Sequence, residues 1–287
     1  MSFLKVVVLA IVQGLAELLP VSSSAHVVVA EKLMGLDPSA PSMTLLLVML
    51  HTGTMFAVIV YFWRRWRATY FSSWVQFKRM AVQVIVATAL TGLIGEALKL
   101  LIEKSAFRGV PHAQIEDLFS HLELIAPALA VAGVLILFAG WRERPARDPT
   151  VVDDLTTRQA ALIGAIQGLC LPFRGFSRSG ATISVGMLAG VAKASAESFS
   201  FALAVVLTPA VDARESLRVL HEEHAGGVAA LAGAVVPSLV GALLSFVAGL
   251  LALKWLSRWL ENGRWYLFGV YCLLAAMAVG GLYLAGY

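Results

Sequence analysis

Eight residues near the start of the chain, LPVSSSAH at 19–26, place three consecutive hydroxyls and an imidazole directly after a proline. Their surroundings are almost wholly Leu, Val, Ala, Ile and Gly. Pro20 cannot continue a helix and biases Leu19 away from helical angles. Serine is a strong N-cap, so a new helix is expected to begin within Ser22, Ser23 and Ser24. Its first N–H groups and positive dipole end would then form an anion site. His26 falls about one turn into that helix. Glu17 lies on the other side of the break, one turn after Gln13, so these two share a helical face.

A second polar stretch, LPFRGFSRSGATISVGMLAG at 171–190, alternates Arg174 and Arg178 with Gly175, Ser177, Ser179, Gly180 and Thr182. Glycines let backbone N–H groups approach an oxyanion, and guanidinium forks grip phosphate bidentately. Arginine at membrane depth is costly unless paired or hydrated. A lone serine in a membrane helix serves packing, and Arg174 alone reads equally as a snorkelling interfacial residue. The clustering of hydroxyls with His26, and of Arg178 within SRSG, is what points to a phosphate pocket.

If the anion is a phosphate carried by a lipid, one chemistry unites these residues. The serines and helix end could hold one phosphate, and Arg178 the far end of a diphosphate or the charge that develops during transfer. His26 suits proton transfer near neutral pH. A bare Glu17 carboxylate repels phosphate, and it becomes useful by binding a divalent cation, orienting His26 or acting as base. That conflict points to metal dependence. A serine nucleophile and an activated water both fit the residues.

The elements that must position them are membrane helices. Of 287 residues, 59% are hydrophobic and 14% charged, with a mean hydropathy of +0.80. A soluble domain would carry about a quarter charged residues. Full crossings are expected near 43–63, 81–102, 122–141, 198–214, 226–253 and 265–286. The net charge of +4 is explained by topology rather than nucleic acid: basic clusters at 64–67, 78–79, 141–148 and 254–264 read as cytoplasmic. The polar loop 103–121 then lies outside. Cys170 and Cys272 read as small core hydrophobes. The N-terminal apolar stretch has no A-x-A-like site and is not read as a signal peptide.

Regions 4–35 and 159–192 do not fit as simple crossings. Both open on one phrase, AIVQGL at 10–15 and GAIQGL at 164–169, and in each a serine follows ten residues after the glutamine. The expected topology inserts them with opposite sense, giving an inverted repeat (about 1–141 and 159–287) within a single transmembrane domain. Such repeats place broken helices at an anion site, with irregular backbone covered by protein or a watery cavity. Outside these regions, Glu96 with Lys99 reads as an ion pair, and His51, Asp212 and Arg214 read as structural.

The motifs GLAELLPVSSSAH and GFSRSGATIS, with LHTGTMFAVIVYFWRR at 50–65, resemble the undecaprenyl-diphosphate phosphatase family of the bacitracin-resistance type, along essentially the whole chain. The resemblance implies an all-α polytopic bundle with two re-entrant helix pairs. It implies hydrolysis of undecaprenyl diphosphate in the bacterial inner membrane, a site facing the periplasm, and dependence on Mg²⁺ or Ca²⁺. Carried over, Glu17, Ser23, His26 and Arg178 would be catalytic. Ser22, Ser24, Ser177, Ser179, Gly180 and Thr182 would bind substrate, and Glu17 with Gln13 would hold the metal; Arg174 is a further substrate-binding candidate from its own chemistry, not from the family pattern. Gln13 stands where many members have a glutamate, and LPFRG at 171–175 is longer than the usual IPG. A homodimer is left open. The competing class is a carrier that moves undecaprenyl phosphate without hydrolysis. An acid-phosphatase-like reading is disfavoured, because no histidine follows SRSG until His221.

Overall fold

The computed structural model describes residues 2–36, 41–106, 121–142, 155–222, 227–261 and 264–286. Within them the chain forms ten helices and no strand: α1 (Phe3–Leu18), α2 (Ser23–Leu33), α3 (Pro41–Thr69), α4 (Trp74–Ala106), α5 (Leu122–Trp141), α6 (Thr157–Cys170), α7 (Arg178–Leu188), α8 (Lys193–Glu222), α9 (Gly227–Glu261) and α10 (Tyr266–Leu284). Most of the expected 103–121 loop and most of the 141–148 basic cluster lie outside the described residues.

Among the described residues, five segments are long and apolar enough to cross a membrane: Ser42–Thr69, Trp74–Ser105, Leu122–Trp141, Val235–Leu256 and Tyr266–Leu284. None has more than 39% of its apolar window buried. Side chains such as Ile85, Leu93, Leu243 and Met277 are more than 60% exposed. Only hydrocarbon accepts that much aliphatic surface along whole helices, so this is a multi-pass membrane protein. The expected crossing at 198–214 falls on α8, which carries Asp212 and is not among the five.

Regions 4–35 and 159–192 are broken as expected. With 16 and 11 residues, α1 and α2 reach only about 24 and 17 Å at the helical rise, short of a ~30 Å hydrocarbon core. The short helices of each pair pack on one another, α1 on α2 and α6 on α7. Both second helices have 11 residues and end in a Schellman cap. In α2, Leu36 N–H reaches Glu31 O and Gly35 N–H reaches Lys32 O; in α7, Val191 N–H reaches Gly186 O and Gly190 N–H reaches Met187 O. Each cap turns on a left-handed glycine, Gly35 at φ 60° and Gly190 at φ 85°.

The likeness continues along the chain. Helices α1–α5 have 16, 11, 29, 33 and 20 residues, and α6–α10 have 14, 11, 30, 35 and 19. Gln13 and Gln167, Gly14 and Gly168, and Thr91 and Ser245 are each 154 residues apart.

By internal contacts the chain divides into two units. The first comprises Met1–Leu19, Ser23–Phe62 and Ala204–Arg258; the second comprises Pro20–Ser22, Trp63–Leu203 and Trp259–Tyr287. In the first, Val6, Leu9, Ala10, Val27, Met43, Leu46 and Leu50 form a buried cluster under the α1–α2 break. There α1 approaches α9 closely: a Cβ on Gly14 would stand 2.8 Å from Ser245 O and 2.5 Å from Ala248 Cβ. In the second, α6 lies as close to α4, and a Cβ on Gly168 would stand 2.8 Å from Thr91 O. Small residues are the usual means of bringing membrane helices together. Beneath α7, the fully buried Trp265 donates its indole N–H to Ser184 Oγ at 3.1 Å. The expected Glu96–Lys99 pair gives way to Lys99 with Glu103, at 3.8 Å and one full turn apart.

A backbone carbonyl cannot yield as a side chain can, so Gly14→Val and Gly168→Val should each destabilise by about 1–3 kcal/mol or more. Gly92 has open space around its Cβ position. Gly92→Ala should be neutral or stabilising by up to ~1 kcal/mol. Thermal unfolding in detergent of the three variants checks the contrast.

Candidate active site

Helix α1 ends where Pro20 removes a backbone donor, and the chain turns through Ser22, the only non-glycine residue with positive φ (68°) among the described residues. Left-handed geometry costs a side-chain-bearing residue roughly 1–2 kcal/mol. Helix α2 then starts at Ser23, within the serine run, as the sequence leads one to expect.

The first unit brings together four polar groups across this break. Ser23 Oγ donates to Glu17 Oε2 at 2.5 Å, and Gln13 Nε2 donates to the same oxygen at 3.2 Å. The shared face of Gln13 and Glu17 is therefore real. From α3, His51 Nε2 lies 3.8 Å from that oxygen. His51 Nδ1 is 2.8 Å from Leu47 O; a carbonyl only accepts, so Nδ1 carries the proton. Next along α3, Thr52 Oγ1 lies 3.4 Å from Asp212 Oδ2 and 2.9 Å from Val48 O. His51 and Asp212 are thus drawn into polar contacts that sequence reasoning assigned to structure. The signal was the pair of polar residues, His51 and Thr52, in the middle of an apolar crossing. Ser24 and His26 sit half-buried on α2, beside Ser23. The Arg214 side chain lies outside the described residues.

In the second unit the longer break, 171–177, is stitched by bonds three residues apart: Leu171 N–H to Gly168 O, Phe173 N–H to Cys170 O and Phe176 N–H to Phe173 O. Gly175, at φ 98°, passes so near Ile125 that a Cβ there would be 2.5 Å from its carbonyl oxygen. Helix α7 starts at Arg178 with Ser177 as N-cap, its hydroxyl accepting from Gly180 N–H at 3.1 Å. Arg174 and Arg178 are half-buried, while Ser177, Ser179 and Gly180 are buried. Thr182 is fully buried; its hydroxyl contacts Arg178 O at 2.7 Å and Ser200 Oγ at 2.6 Å. Ser177, Gly180 and Thr182 therefore spend hydrogen bonds on shaping the start of α7. Arg178, at its first position, adds a cation to the positive end of the helix dipole, which suits an anion.

A divalent cation implied by the resemblance would find hard oxygen donors at Glu17, Gln13 and Ser23. Among the described residues no group of three or more His, Cys, Asp and Glu stands together. That set of one carboxylate and two neutral oxygens would suit a hard cation such as Mg²⁺ or Ca²⁺. Farther along α3, residues 49–60 and α9 residues 242–246 line an apolar groove of about 380 Å³.

Residues 6–278 match the family described as Bacitracin resistance protein BacA. The chain belongs to this family. It is 59% identical over 276 residues to "Undecaprenyl-diphosphatase 2" of Acinetobacter baylyi, covering 95% of each chain. It is 36% identical over 288 residues to "Undecaprenyl-diphosphatase 1" of Burkholderia pseudomallei, covering 96% of this chain and 95% of that one. "Undecaprenyl-diphosphatase 2" of Burkholderia ambifaria is 33% identical over the same coverage. Membership in the BacA family thus spans both helix breaks.

Capping and anion binding at Ser177 can be separated. Ser177→Ala should cost about 1 kcal/mol of stability through the lost cap. Ser177→Asp should restore the cap and the melting temperature in detergent, yet depress turnover of a phosphate substrate at least tenfold by placing an anion at the start of α7.

Proposed function

We propose that the protein hydrolyses undecaprenyl diphosphate to undecaprenyl phosphate and inorganic phosphate, and so recycles the lipid carrier for cell-wall synthesis. The observation that carries this reading is the Ser23–Glu17 hydrogen bond of 2.5 Å across the first helix break, in a chain of the BacA family. A hydroxyl held against a carboxylate is a nucleophile next to its base.

In this reading Ser23 attacks the terminal phosphorus while its proton passes to Glu17. The bond from that phosphorus to the bridging oxygen breaks, and undecaprenyl phosphate departs. His26 supplies a proton to the leaving side. Water then hydrolyses the phosphoserine, releasing phosphate and restoring the hydroxyl. Glu17 and Gln13 would hold a divalent cation, which would supply charge neutralisation to the phosphates. Arg178 and the N-terminus of α7 stabilise the phosphoryl charge, with Ser22, Ser24, Arg174 and Ser179 as further phosphate contacts. The apolar groove on α3 and α9 suits a prenyl chain.

We place the protein in the bacterial inner membrane with its site facing the periplasm. The α1–α5 and α6–α10 halves are inserted with opposite sense, and Ser72 is cytoplasmic while Ser105 is periplasmic. Both serines are exposed, at either end of α4, and the native Cys170 and Cys272 are buried. An impermeant thiol reagent added to intact spheroplasts should label Ser105→Cys and leave Ser72→Cys unlabelled; the reverse pattern would overturn the orientation.

The purified protein in detergent should release phosphate from undecaprenyl diphosphate. Activity should vanish with a chelator and return with Mg²⁺ or Ca²⁺, and Arg178→Ala should lower it at least a hundredfold. A folded, metal-supplied parent that releases no phosphate would leave the lipid-phosphate carrier as the better reading. Release in ¹⁸O-water with no trapped phosphoenzyme would replace Ser23 by water as the attacking group.

A further inference from the structure

We propose that His51 is a positioning residue for the Glu17–Ser23 pair, a role that rests on the hydrolytic reading above. A carboxylate at the end of a two-methylene stem has several rotamers, and only one of them faces Ser23 Oγ. Gln13, one turn back on α1, holds Glu17 Oε2 from one side at 3.2 Å, and Ser23 holds it from across the break at 2.5 Å. His51 Nε2 lies 3.8 Å from the same oxygen, beyond hydrogen-bond reach, so the ring bounds the third side by its bulk. The His51 side chain is 39% exposed and that of Glu17 only 14%. The ring is thus the more outward of the two, and it occupies space into which the carboxylate could otherwise swing.

The ring itself is held firmly. Nδ1–H donates to Leu47 O at 2.8 Å, which fixes the ring orientation and turns the Nε2 edge to Glu17. The stretch of α3 that carries it is tied on several sides. Ser245 Oγ of α9 donates to Leu50 O at 2.7 Å, and Thr52 reaches Asp212 of α8. Thr54 Oγ1 donates to His51 O at 2.8 Å. At Gly53 the backbones of α3 and α9 are so close that a Cβ would stand 2.2 Å from Ala242 O. A side chain mounted on so constrained a backbone can hold a catalytic carboxylate within the few tenths of an ångström that reactivity demands.

The test compares His51→Ala, which opens the space beside the carboxylate, with His51→Gln, which keeps a side chain of similar reach. On undecaprenyl diphosphate, His51→Ala should lower kcat at least tenfold with KM within twofold of the parent, at an unchanged melting temperature. His51→Gln should recover at least a third of the parent kcat. A fluorophosphonate probe reports on Ser23 without the lipid substrate, so it separates this proposal from the hydrolytic reading. His51→Ala should slow its labelling of Ser23 at least fivefold, and Glu17→Gln should do the same. Parent-like kcat or labelling in His51→Ala would overturn the proposal. So would a rise in KM alone, or a loss that follows the melting temperature and is not restored by glutamine.

Discussion

A helix broken inside a bilayer exposes backbone donors and acceptors where no lipid can answer them, at several kcal/mol for each group left alone. The two breaks meet that demand differently. In the first, proline removes a donor outright, Leu19 N–H still reaches Leu15 O, and the Pro20 carbonyl receives the Cys272 thiol at 3.5 Å. In the second, three short-range bonds carry the chain from Gly168 to Phe176, and the Ser177 hydroxyl caps α7. Satisfying the backbone and building a site are the same act here. The residues that tolerate a break at membrane depth are the small, hydroxylated ones that phosphate chemistry also uses.

One frame carries two different sets of side chains. Gln13 and Gln167 are both buried, 154 residues apart, yet Gln13 gives its amide to Glu17 while Gln167 gives its amide to Thr91 Oγ1 at 3.3 Å. Leu171 stands 154 residues after Glu17, so the second copy has no carboxylate to be served. Ser23 donates to an acid; Ser177, at the matching distance, accepts from a helix N–H. The first copy holds a hydroxyl against a carboxylate. The second is built to present Arg178 on a capped helix end. Two helix starts 154 residues apart thus carry different side-chain bonds, an acid-bound serine in one and a capping serine in the other.

Much of this was legible in the sequence, because proline, serine runs and apolar length act locally. Pro20 with its serines fixes the α1–α2 break, and the ten-residue spacing from glutamine to serine locates the second break on the same frame. The sharing of a face by Gln13 and Glu17 follows from helical periodicity alone. Three things were not legible. The approach of α3 to Glu17 is a contact 34 residues distant, and no local rule brings His51 there. The capping role of Ser177 depends on which of several hydroxyls starts the helix. Lys99 has acids within reach in both directions, three residues back at Glu96 and four ahead at Glu103, and rotamer geometry rather than spacing selects the second.

Ser22 shows why strain belongs to the site rather than to the fold. Every other described residue in the left-handed region is a glycine: Gly35, Gly175, Gly190 and Gly286. At each of those the chain turns with no steric penalty. A glycine at 22 would relieve the first break in the same way. Instead a buried hydroxyl is carried there at a cost of roughly 1–2 kcal/mol. Strain of this kind persists where the surrounding structure over-determines a residue, and it gathers where chemistry is done. Ser22 immediately precedes the serine that faces Glu17, so its backbone sets the entry angle of α2 and with it the direction of Ser23.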